Sequence, residues 1–282
     1  MAESEPEKGD KMLYLRVLSA IVGIPIVLAA VYFGDIWYAL LLLIVVNRGI
    51  FEYYRMFQSK DYSLPVVFGF FGVTLFLVII YFQQVALIYP LLIIIFVLLY
   101  MDALFHMERF SLVEAAILLW GILYLGGLGG FMLMLRMLPD GAFYTYLLLF
   151  SVWLHDSLAY FIGSKWGVRK FAPLISPNKS VEGSMAGVLG LSAIMFSTSI
   201  LAPTFLPLPP LQAVFLGLGI AVFAQLGDLL ESALKRQLEV KDSGALIPGH
   251  GGVLDRFDSL LFTAPFVYYF FLLISTLRGF QW

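Results

Sequence analysis

Residues 64–82 read LPVVFGFFGVTLFLVIIYF; Gln83-Gln84 follows, and residues 85–101 read VALIYPLLIIIFVLLYM. No charged residue occurs between Asp61 and Asp102. Neither run alternates apolar with polar residues as a half-buried strand would; both are continuous. About 20 apolar residues in a helix cross a bilayer core of ~30 Å. In lipid, a helix also satisfies its own backbone hydrogen bonds. The stretch therefore predicts two membrane helices joined by a two-residue turn.

Outward from this pair, further apolar runs fall at 13–33, 36–57, 112–137, 143–163, 185–205, 211–234 and 257–277. The expected fold class is an all-α polytopic membrane protein, a bundle of about nine transmembrane helices. Composition agrees: 61% of the 282 residues are hydrophobic and 13% charged, whereas a soluble domain is about half apolar and a quarter charged. Residues 1–11 read as a disordered polar tail. Residues 12–142 read as N-terminal scaffold helices with candidate dimer contacts, and 143–282 as a catalytic transmembrane region carrying loops 164–184 and 231–256. The tail is acidic (Glu3, Glu5, Glu7, Asp10) and the apolar run after it is long for a signal peptide, so it is taken as a retained helix.

Charge sets the expected orientation. With nine spans, fifteen of the seventeen lysines and arginines fall on the side of the N-terminus; only Arg136 and Arg278 fall opposite. The positive-inside rule makes the basic side, and hence the N-terminus, cytoplasmic. The net charge of −2 and the lack of a basic run argue against nucleic-acid binding. The absence of cysteine excludes disulfides, thiolate nucleophiles and cysteine-bound zinc.

The polar residues concentrate from Gly227 to Asp258. Asp228, Glu231, Ser232 and Lys235 share one helical face, and Asp255 and Asp258 share another. If the intervening loop folds back, Asp228, Asp255 and Asp258 can converge as hard oxygen ligands suited to Mg²⁺. The Pro248-Gly249-His250-Gly251-Gly252 turn offers backbone N–H groups before a helix. Lys235, Arg236, Lys241 and Arg256 can neutralise a polyphosphate, while Asp242 and His250 shape the loop or orient a substrate. Against this stands the plainer view that Asp255-Arg256 is a helix-capping acid beside a snorkelling base.

A second group surrounds Asp156, an ionisable residue deep in an apolar run. Asp156, Tyr160 and Gly163 form a polar stripe expected to face the bundle, flanked by Ser157. His155 is read as structural. Lys179-Ser180 resembles an anion-binding turn before a helix. Glu182 reads as a first-turn acid, Glu52 and Glu114 as structural, and the glycines from Gly126 to Gly130 as a close-packing surface.

These residues carry a family resemblance. Ser232-x-Leu234-Lys235-Arg236-x4-Lys241-Asp242-x-Gly244-x2-Ile247-Pro248-x-His250-Gly251-Gly252-x2-Asp255-Arg256-x-Asp258 resembles the signature of the phosphatidate cytidylyltransferases. Ser151-x-Trp153-x2-Asp156-Ser157-x-Ala159-Tyr160-x2-Gly163, Ser176-Pro177-x-Lys179-Ser180-x-Glu182-Gly183 and Glu52-Tyr53-Tyr54 are also similar to that family. Asn178 departs from it, standing where a basic residue is common.

The resemblance implies transfer of CMP from CTP to phosphatidate, giving CDP-diacylglycerol and pyrophosphate in a bacterial inner membrane, with the site facing the cytoplasm. It implies Mg²⁺, with a second, monovalent cation such as K⁺, and a homodimer. Lys235, Arg236, Lys241, Asp242 and His250 become catalytic candidates, and Asp228, Asp255 and Asp258 metal ligands. Asp156, Ser157, Tyr160, Lys179, Ser180, Ser232 and Arg256 become substrate contacts. The rivals are a related CTP-using lipid enzyme, such as a polyprenol kinase or an archaeal-type lipid cytidylyltransferase, and an ion-coupled transporter; no internal repeat supports the latter.

Overall fold

A computed structural model describes residues 5–246 and 251–277. Among the described residues, nine helices follow in order: α1 (Glu5–Phe33), α2 (Asp35–Gln58), α3 (Val66–Tyr81), α4 (Val85–Phe105), α5 (Leu112–Met137), α6 (Gly141–Trp166), α7 (Val181–Leu201), α8 (Pro210–Gln237) and α9 (Leu254–Leu277). Seven are long and apolar enough to cross a membrane; Val17–Phe33 of α1 and all of α3 are shorter apolar segments. The 16 residues of α3 rise only ~24 Å, short of a ~30 Å core. The chain is an integral membrane protein of the all-α class, as its apolar runs require.

Three local features depart from expectation. Glu5–Lys11, read as a disordered tail, continues α1. Helix α7 begins at Val181 rather than 185, because the Ser180 hydroxyl accepts the Gly183 N–H at 3.2 Å and caps the helix. The loop before it holds an unexpected antiparallel hairpin, β1 (Lys170–Ala172) with β2 (Ser176–Ser180), pairing Lys170 with Ser180 and Ala172 with Ser176.

By compactness the chain forms two units. The first comprises residues 1–137 together with 237–257; the second comprises 138–236 and 258–282. The signature loop thus belongs with the first five helices, and α9 runs across the boundary.

In the first unit, α2 presents Tyr38, Leu42, Val46, Ile50, Tyr53 and Tyr54 along one buried stripe. Lipid is as apolar as these side chains, so close contact rather than exclusion from water holds such helices together. Glycines make that contact: Gly69 of α3 and Gly121 of α5 lie directly against the Tyr54 ring. The Tyr53 and Tyr54 hydroxyls donate to the Ile117 and Leu118 carbonyls at 3.4 and 2.8 Å. Those carbonyls precede a π-helical segment, Ile122–Gly127, where the regular ladder changes register. Gly126 and Gly130 approach Val73 and Ile80, while Gly127 faces open space. Helix α5 starts with a capping box between Ser111 and Glu114, and Glu114 also accepts the Ser63 N–H. Arg136 has a structural use, its Nε donating to the Val31 carbonyl at 2.9 Å at the end of α1.

In the second unit, α6 and α7 form the tightest pair. A Cβ on Gly183 would stand 2.6 Å from the Ala159 carbonyl oxygen and 2.8 Å from the Gly163 Cα. His155 is buried with its ring against Gly187.

Candidate active site

Two carboxylates shape the described part of the signature loop. Asp255, in the first turn of α9, turns back along the chain. Its Oδ2 accepts the Gly252 N–H at 2.8 Å, the Ser243 hydroxyl at 2.9 Å and the Ser243 N–H at 3.1 Å. Gly251 has φ +85°, a left-handed conformation that a side chain resists, and its Cβ would stand 2.7 Å from Asp255 Oδ2. Glu52 supplies the other carboxylate, from α2. Its Oε2 accepts the Leu254 N–H at 3.0 Å and the Ser243 hydroxyl at 3.4 Å, and its Oε1 accepts Arg48 Nε at 3.1 Å. Ser243 therefore sits between both acids and is buried. Lys241, Asp242 and Arg256 are exposed around this core. His250, like Ile247, Pro248 and Gly249, lies outside the described residues.

The second unit brings together acids and ammonium groups from four segments. Asp228 of α8 pairs with Lys179, the residue before the Ser180 cap, and accepts the Ser232 hydroxyl at 3.2 Å. Lys235, one turn after Glu231, binds it at 2.6 Å; Glu231 is only 2% exposed. Asp258 of α9 is buried, and Asp228, Asp156 and Lys235 all act on it electrostatically. A small residue permits this: Gly227 lies against the backbone of Asp258 and Ser259. Arg236 donates to the Ile175 carbonyl at 3.1 Å, fastening the end of α8 to the hairpin segment. Ser184 and Gln225 exchange hydrogen bonds of 2.8 and 3.0 Å between α7 and α8.

Some candidates are placed differently from expectation. Of the stripe expected to face the bundle, Asp156 and Tyr160 are exposed and Gly163 is half-buried; the flanking Ser157 is also exposed, and the buried residue of that turn is His155. The Ser157 hydroxyl bonds its own helix at the Trp153 carbonyl. Ser180 is buried as a helix cap, so of the Lys179-Ser180 turn only the lysine presents a polar group. Among the described residues, no group of three or more acidic or histidine side chains is gathered so as to hold a metal ion. Asp255 accounts for part of this, since its carboxylate is turned onto Ser243 and Gly252.

Sequence reasoning gave no site role to Glu52, Ser243 or Glu231, although Glu231 stood on the Asp228 face and Glu52 in the family resemblance. A signal for Glu52 was present: an acid followed by two tyrosines inside an apolar run is expensive in a membrane helix unless it is used. Ser243, between Asp242 and Gly244, carries no comparable mark.

The second unit carries a set of cationic side chains and carboxylates at helix ends, and the first unit carries a glycine-rich loop with its backbone fixed by acids. Such a set suits polyphosphate chemistry. The profile of the cytidylyltransferase family matches residues 14–274. A phosphatidate cytidylyltransferase of Bacillus subtilis is 34% identical over 271 residues, spanning 92% of this chain and 98% of its own length. Relatives of the same name from Staphylococcus haemolyticus and Synechocystis sp. are 34% identical over 258 residues and 32% over 293. Those alignments cover 89% and 92% of this chain, and 96% of each relative. With a profile that runs through all nine helices and relatives matched nearly end to end, the chain belongs to the cytidylyltransferase family.

Proposed function

We propose that this chain is a phosphatidate cytidylyltransferase: it transfers CMP from CTP to phosphatidate, yielding CDP-diacylglycerol and pyrophosphate. The observation that carries the reading is the match of nearly its whole length to relatives of that name. The phosphate of phosphatidate is already an anionic nucleophile, so no strong base is needed. Its oxygen attacks the α-phosphorus of CTP, the bond to the bridging oxygen breaks, and pyrophosphate leaves with the bonding electrons. The protein's task is to position two anions and offset their charge. Lys179 and Lys235, held by Asp228 and Glu231, and Lys241, Arg236 and Arg256 are the groups that do so.

A hard divalent cation is part of this reading, and its support is a pair of carboxylates rather than a gathered cluster. Asp228 and Asp258 are carboxylates close enough to act on one another, and Asp228 already accepts the positive charge of Lys179. Asp228 and Asp258 would hold Mg²⁺, which would neutralise charge on the triphosphate. Asp255 is less suited, because its Oδ2 already takes three donors from the loop. A monovalent ion such as K⁺, a homodimer, a bacterial inner membrane and a cytoplasmic N-terminus and site complete the reading. Its support for orientation is the bias of fifteen basic residues to one side.

The test supplies purified protein with phosphatidate, base-labelled CTP and Mg²⁺. The expected product is a labelled liponucleotide with equimolar pyrophosphate, abolished by chelation. Labelled CDP in place of the liponucleotide would instead mark a lipid kinase.

A further inference from the structure

Glu52 lies within the membrane-spanning helix α2 and is 1% exposed. A carboxylate so placed is costly unless donors engage it. Of its three donors, Arg48 belongs to its own helix, while the Leu254 N–H and the Ser243 hydroxyl belong to the signature loop. Its neighbours Tyr53 and Tyr54 serve the bundle instead, bonding α5. Glu52 is thus the residue of this Glu-Tyr-Tyr triplet that reaches the loop.

Two further observations bind the loop's shape to this one side chain. Among the described residues, no helix or strand element forms between Gln237 and Leu254, so side-chain acceptors must fix the backbone there. Glycines stand at both points where the loop closes over Glu52. A Cβ at Gly244 would meet Glu52 first, 2.7 Å from Oε1, and one at Gly252 would strike Oε2 and the Ser243 hydroxyl. The loop backbone is moulded on the carboxylate.

We infer that Glu52 is a positioning residue of the signature loop, holding Ser243 and Leu254 so that Lys241, Asp242 and Arg256 are presented in register with the substrates. The inference rests on the cytidylyltransferase reading for its catalytic consequence, but not for the anchor itself. The carboxylate touches no reacting atom; it acts through Ser243, which it shares with Asp255.

The test uses the full-length protein in detergent, with Glu52→Ala, Gly244→Ala, their double variant and Ser243→Ala. Hydrogen exchange should accelerate at least about tenfold in the segment 241–254 of Glu52→Ala and stay unchanged in α3 to α5. Liponucleotide synthesis should lose about 10²-fold in kcat, the effect of roughly 1 Å of misplacement, with KM for phosphatidate held within about threefold. Gly244→Ala should be similarly harmful alone, yet add less than about threefold to Glu52→Ala, because both remove one contact. Wild-type exchange in 241–254 of a folded Glu52→Ala, or fully additive losses, would overturn the inference. If Glu52→Ala does not fold, Ser243→Ala decides: a faster-exchanging loop with a roughly tenfold lower kcat supports it, and wild-type behaviour overturns it. A wild-type protein that makes no liponucleotide while Glu52→Ala still loosens the loop would sink the proposed function and leave the anchor standing. An active wild type with an indifferent Glu52→Ala would do the reverse.

Discussion

The two long loops, after α6 and after α8, close on their following helices by the same device. In each, the second residue of the next helix is an acid that turns back and collects N–H groups from the loop. Glu182 takes the N–H groups of Val168 and Arg169, both at 3.1 Å, and the Arg169 side chain at 3.1 Å. Asp255 takes Gly252 and Ser243. They differ in what else holds them. The first loop is closed by its neighbours, its hairpin pairing with itself and Ser180 capping the helix three residues on; α8 reaches it only at Ile175 and Lys179, through Arg236 and Asp228. The second enlists Glu52, 202 residues before the Leu254 N–H it accepts. A loop closed by neighbours can form with its own helix, whereas one closed by a distant buried acid forms only once the first unit has packed.

The largest expected effect exploits this difference. Asp255→Asn keeps the side chain's shape but weakens three hydrogen bonds on which the signature loop depends. Liponucleotide synthesis should fall at least about 10²-fold, the scale of a misplaced constellation. Glu182→Gln makes the equivalent change in the first loop, where the paired Arg169 side chain is 75% exposed. An exposed pair and a first-turn acid each contribute little. That variant should keep activity within about tenfold while trypsin cuts faster near Arg169 and Lys170. Equal losses in the two variants would erase the distinction between the loops.

The next effect concerns the hairpin's support rather than its closure. A Cβ at Gly183 would press on the Ala159 carbonyl and the Gly163 backbone, neither of which is a flexible chain end. Gly183→Ala should therefore destabilise by about 1–3 kcal/mol through overpacking, read as a lower midpoint in thermal unfolding in detergent. Gly127→Ala is its control, since nothing lies within 4 Å of the added methyl, and a change within about 0.5 kcal/mol is expected.

The sequence makes some of this visible and hides the rest for physical reasons. Lipid demands long uninterrupted apolar runs, so the helices of the described residues can be read from them. The largest slip is at α1, which begins at Glu5 rather than 13 because a polar segment carries no apolar mark; that at α7 came from treating Ser180 as an anion contact rather than a cap. The signature loop stands out because many polar residues sit at fixed intervals in a charge-poor chain. Side-chain direction is harder. Asp156, Ser157 and Tyr160 share a turn with His155, and which of them turns inward depends on Gly187 of another helix. Pairings such as Lys179 with Asp228, or Glu52 with Leu254, join residues far apart in sequence. No periodicity within one helix could show them.

The smallest effect lies at the start of the second loop, where a third acid makes a contact opposite in character to that of Glu52. Glu239 is fully exposed, and the hydrogen bond and charge of Lys60, 2.6 Å away, hold its carboxyl below the ordinary glutamate range. A carboxyl depressed on folding stabilises the folded state above its unfolded pKa, ~4.3. That contribution is lost as pH falls through the lower folded value. The unfolding midpoint of wild type should therefore exceed that of Glu239→Gln by a constant, small margin, about a degree at most, from pH 6 to 8. The margin should close as acidification protonates Glu239, and should also shrink at high salt, where an exposed pair is screened. A margin that widened in acid would mean that folding favours the protonated form of Glu239, so that the Lys60 contact is not what holds it, and the contrast between the two ends of the loop would fail.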